Sequence, residues 1–118
     1  MSYGFDLITA SRPDLENLAS ILAAGLSAEA EWNGEAVAFH LMNAYVHLNP
    51  VREDHPDYRG DKKRPFQIGI LVLDRAFAPT IIELLPADMD CRVWFGERPH
   101  SYSIKGARDH FSGRLYLS

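Results

Sequence analysis

Cysteine is almost missing: Cys91 is the single one in 118 residues. One thiol cannot close an internal disulfide, and no Cys-x-x-Cys pair exists for a zinc site. Such usage suits a reducing compartment. Long apolar runs are missing as well, since every uninterrupted stretch falls far short of the roughly 18–20 residues that span a bilayer. The opening MSYGFDLITAS has no basic segment followed by an apolar one, so no signal peptide is expected and the chain reads as cytoplasmic. There is no GxxxxGK(S/T), no GxGxxG, no GxSxG and no His-x-His. These absences remove the phosphate-loop, dinucleotide-binding and nucleophile-elbow classes, and no cofactor or metal is expected.

What is there suits one ordinary folded domain. The sequence is 47% hydrophobic and 24% charged, with two Trp, five Tyr and six Phe to fill a core. A chain of this length can bury most of its apolar surface without staples. The net charge is −4, unevenly spread. Residues 1–35 hold six acids and the single base Arg12, whereas residues 91–118 hold five bases and two acids. Net acidity argues against general nucleic-acid binding and suits a protein partner with a basic surface. No membrane contact is expected, and a homodimer is compatible with the sequence.

Residues 2–11 alternate as a first strand. In SRPDLENLASILAAGL, Leu15, Leu18, Leu22 and Leu26 recur at helical spacing, with Ser11 read as the cap and Asp14 at the third position after it. Residues 35–48 carry two signals. Asn33-Gly34 is a hairpin signal, but His40, Asn43 and His47 are spaced three and four, opposite Val37, Leu41 and Leu48. That spacing favours a helix ended by Asn49-Pro50, with a strand as the alternative. Residues 52–65 read as a charged surface loop, within which Asp61-Lys62-Lys63-Arg64 is a solvated run. FQIGILVLD (66–74) is the strongest strand and should be central. A short helix over 78–86, a strand over 91–95, a turn at GERPH and strands in SYSIKG and GRLYLS complete the chain. The fold class is α+β, a mostly antiparallel sheet of about four to six strands with two or three helices on one face, compatible with a ferredoxin-like variant.

Tyr45 through Arg52 resembles the Tyr-x-x-x-Asn-Pro-Val-Arg run of REP-associated tyrosine transposases. The likeness covers that run alone. Those enzymes also use a His-hydrophobic-His metal pair, which this chain lacks, so no activity is carried over from it.

Two functional readings follow. In the first, the domain is a non-enzymatic protein-binding module, most concretely a small acidic inhibitor or immunity-type protein that neutralises its partner. Trp32 among Glu29, Glu31 and Glu35 would anchor that partner, with the polar stripe His40, Asn43 and His47 beside it. His40 and His47 are not expected to share a metal: on a helix they stand ~10.5 Å apart, and on one strand an odd separation faces them apart. In the second reading, a small enzyme or ligand-binding domain takes a phosphorylated or nucleotide substrate at the basic C-terminal segment. His100 and His110 would move protons there, and Lys105 and Arg108 would hold the anion. A homo-oligomeric variant would line a shared cavity with residues 66–73.

Overall fold

The computed structural model describes residues 2–12, 14–95 and 101–112. Strand β1 (Tyr3–Thr9) leads into helix α1 (Leu15–Leu26). A hairpin, β2 (Glu31–Asn33) and β3 (Ala36–His40), is followed by β4 (Tyr45–Val51) and β5 (Phe66–Val72). A short 3₁₀ turn runs into helix α2 (Ala78–Leu84), and β6 (Cys91–Phe95), β7 (Ser101–Tyr102) and helix α3 (Ile104–Ser112) close the described chain. The architecture is α+β, with seven strands in one antiparallel sheet of order β2-β3-β4-β5-β1-β6-β7.

Within that order lies a ferredoxin-like core. The elements β1-α1-β4-β5-α2-β6 make a β-α-β-β-α-β unit, and their four strands lie side by side as β4-β5-β1-β6. Two additions widen the core. The β2–β3 hairpin extends it beyond β4, and β7 with α3 extends it beyond β6.

Strand alternation fixes which face is buried. Phe5 and Leu7 lie level with Ile70 and Ile68 on one side and with Phe95 and Val93 on the other. Leu48 and Val46 continue the rows to Val37 and Phe39. All are buried, with Leu18, Ala19 and Leu22 of α1, Ile81 and Ile82 of α2, and Ile104 and Ala107 of α3. Each such large side chain contributes about 1.5–3 kcal/mol of burial, so the helices belong to this face. On the opposite face, Gln67 joins the 52–65 loop to the sheet. Its amide donates to Asp6 Oδ1 (2.9 Å) and to the Asp57 carbonyl (3.0 Å), while its oxygen accepts from the Arg59 amide. The Arg59 guanidinium lies 5.6 Å from the Trp94 ring centre. Arg64, from the end of the basic run, pairs with Asp90 at 2.7 Å.

Three local expectations need correction. Asp14, not Ser11, caps α1, accepting from the Asn17 amide at 3.0 Å. Residues 36–51 are two strands, not a helix. Each half alternates with period two, Val37 and Phe39 then Val46 and Leu48 facing the core, and the four-residue turn 41–44 between them imitates a helical phase. Pro50 is tolerated inside β4 because it stands where the outer neighbour β3 has already ended. Finally, residues 104–112 form a helix, not loop and strand, because Ile104, Ala107 and Phe111 share one face against Phe95. GERPH and GRLYLS lie outside the described residues.

Candidate functional site

The β2–β3 hairpin forms one end of the sheet and holds most of the residues singled out from the sequence. Its turn is Gly34-Glu35. Gly34 has φ +66°, and placing glycine first in a two-residue loop fits a type II′ turn. β2 is three residues long and all three are exposed. Trp32 is 47% exposed, one of a few large apolar residues left in water, with Met42 and Leu71. Its partner in register is Val37, so it faces the helix side of the sheet.

There Trp32 walls a cavity of about 600 Å³ between the start of α1 and the ends of β4 and β5. The floor is apolar: Leu15, Pro50, Phe66 and Ile68. The rim is charged, with Asp14, Glu16, Glu35 and Glu53 against Arg12 and Arg52. Arg52 is already engaged, donating to Glu35 at 3.3 Å. Both ends of that pair are exposed, so it adds little stability.

Glu31 alternates to the opposite face, where His40 Nε2 stands 3.2 Å from its carboxylate. Glu29 and Glu31 line a second, shallower hollow with His40 and the fully exposed Met42. The four anchor residues are therefore all exposed, but they split between two faces of the hairpin. Glu35 sits with Trp32, whereas Glu31 sits with His40, and Glu29 shares the hollow with that pair.

His40 and His47 do meet, contrary to both geometries considered for them. Their ring centres are 5.7 Å apart, edge to face, and the Tyr45 ring lies tilted against His47 at 5.1 Å. The reason is parity: an odd separation divides faces on one strand, but the turn between β3 and β4 restores a shared one. His47 Nε2 is buried without a hydrogen-bond partner. Asn43 is exposed in the turn. Among the described residues no group of three His, Cys, Asp or Glu could hold a metal.

The C-terminal candidates are held by structural contacts. His110 is 2% exposed, stacked on Phe95 at 4.9 Å and on Tyr102 at 5.6 Å, with Arg75 3.3 Å from its Nε2. The Arg108 guanidinium donates to the carbonyls of Glu83 and Leu85, which α2 leaves open at its end. Lys105 is exposed and reaches Asp109 at 3.5 Å along the helix. His100 lies outside the described residues. The signal for this helix was present in Ile104, Ala107 and Phe111, at spacings of three and four. The polar residues between them mask that spacing.

Two further titratable groups are shielded from water, Asp6 half-buried and Cys91 buried. Burial raises the Asp6 carboxyl above its ordinary value, and the hydrogen bond from Gln67 pulls it partly back. Burial also pushes the Cys91 thiol up to about 11, which leaves it protonated and a poor nucleophile at neutral pH. No helix among the described residues is long and apolar enough to cross a membrane. Compared with protein-family models, with curated proteins and with solved structures, the chain matches none.

Proposed function

We propose that this domain is a non-enzymatic protein-binding module that docks a basic partner on its β2–β3 edge. Its most concrete form is a small acidic inhibitor of the immunity type, which covers a cationic surface on the protein it neutralises. The observation that carries this reading is Trp32. A tryptophan 47% exposed, on the last strand of a sheet and beside an apolar hollow, leaves uncovered the kind of surface that dominates binding energy at interfaces. Four carboxylates rim that hollow against two guanidinium groups, and the whole chain carries −4, so a cationic surface would be drawn to it.

The test is affinity capture from a lysate of the source organism, with tagged wild-type protein and tagged Trp32→Ala, at low and at high salt. The expected result is one stoichiometric partner, retained at low salt, released at high salt and absent with Trp32→Ala. Capture of nothing, or of the same partner by Trp32→Ala, would overturn the reading.

A further inference from the structure

We infer that the cavity under Trp32 is a receptor for one arginine side chain of the partner. This rests on the protein-binding reading and names the chemistry recognised at that edge. Three properties of the hollow converge on an amphipathic cation. Its floor, Leu15, Phe66 and Ile68, is apolar and suits the aliphatic stem of a long side chain. One wall is an indole, whose negative π face attracts a cation and accepts a planar guanidinium in stacking. The rim is net acidic, with Asp14, Glu16, Glu35 and Glu53 against Arg12 and Arg52, and Arg52 is already paired with Glu35.

The start of α1 opens onto the same hollow and would by itself favour an anion. That preference is met within the chain. Asp14 caps the helix, accepting from the Asn17 amide, so its carboxylate already answers the positive end of the dipole. A neutral apolar side chain would fill the floor but leave the rim unanswered. An acidic one would meet like charge. Lysine would satisfy the rim but lacks the planar face that stacks on the indole.

The test follows the Trp32 indole N–H by NMR during titration with N-acetyl-arginine methylamide. The matching lysine, norleucine and glutamate amides serve as comparison. The expected result is a saturable shift of the Trp32 resonance with the arginine probe, weaker with lysine and absent with norleucine and glutamate. Trp32→Ala, followed through the amides of Leu15 and Ile68, should weaken binding about two- to fivefold, in line with the loss of one exposed cation–π contact. The Glu16→Gln, Glu53→Gln double variant should also weaken it, and added salt should remove the difference between that variant and wild type. No saturable shift with arginine, or equal shifts with norleucine or glutamate, would overturn the inference. If arginine fails while the partner is still captured through Trp32, this inference falls and the protein-binding reading stands. If arginine binds and no partner is captured, the cavity remains a guanidinium site and the protein-binding reading falls.

Discussion

The same core has been extended at both ends of its sheet, and the two extensions are finished differently. Beyond β6, two residues of strand are followed by α3, which folds back onto β6, β7 and α2. His110, Ile104 and Ala107 are buried there, and Arg92 ties β7 down through the hydroxyl and carbonyl of Ser101. Beyond β4, the β2–β3 hairpin ends the sheet with three exposed residues, one of them tryptophan. At the other end Trp32 and Met42 stand in water, which is the surface the proposed binding role would use. The lesson concerns polarity as a guide to function. The segment richest in reactive side chains closes the fold, and the quieter hairpin presents the open surface.

The contrast can be broken most forcefully at His110. Replacing it with alanine removes a buried ring packed against Phe95 and Tyr102, and stability should fall by about 2–4 kcal/mol in urea denaturation. A loss under about 0.5 kcal/mol would mean that the C-terminal edge is not structural. At the other edge, Gly34→Ala places a side chain at φ +66° and should cost about 1–2 kcal/mol, because the left-handed conformation strains any residue with a Cβ. Open space surrounds that position, so strain and not collision is the cause. Thermal melts of the two variants together would show which edge the core depends on more.

A third variant tests the covered half of the helix-free face. The folded state holds Asp6 with a raised pKa, so it favours the protonated carboxyl. Wild-type stability from this group is therefore greatest below the ordinary carboxylate value of 3.8 and declines as pH rises through the raised folded value. Asp6→Asn keeps an oxygen for the Gln67 amide and has no charge to bury. It should match wild type near pH 3 and exceed it at pH 7, read as the difference in melting temperature at the two pH values. A variant less stable than wild type at pH 7 would contradict the burial account. The smallest effect belongs to Trp32→Ala. An exposed edge residue should change stability by no more than about 0.5 kcal/mol, and a much larger loss would make Trp32 a core residue.

Much of the fold was legible in the sequence because periodicity reports burial. Leu15, Leu18 and Leu22 announced α1, and the double-sided apolarity of Phe66–Val72 announced a central strand, which β5 is. The β3–β4 pair reads as a helix because two short strands of period two, joined out of phase by four residues, reproduce a spacing of three and four. That phase shift is tertiary information, since only strand pairing shows that His40 faces Tyr45. α3 was missed for a different reason. Its apolar positions are few, and His110 occupies one of them, buried through aromatic stacking that no pattern of polarity reveals. Trp32 was identified as a candidate anchor from its acidic neighbours. The cavity beneath it was not legible, because Leu15, Pro50 and Phe66 meet there from three distant parts of the chain.

The most direct test of the contrast is capture by Trp32→Ala and Lys105→Ala side by side, each at low salt from the same lysate as wild type. Both positions are exposed, so neither change should disturb the fold. The account predicts that Lys105→Ala retains the partner and Trp32→Ala loses it. Retention by Trp32→Ala with loss by Lys105→Ala would place the contact surface on α3 and contradict it.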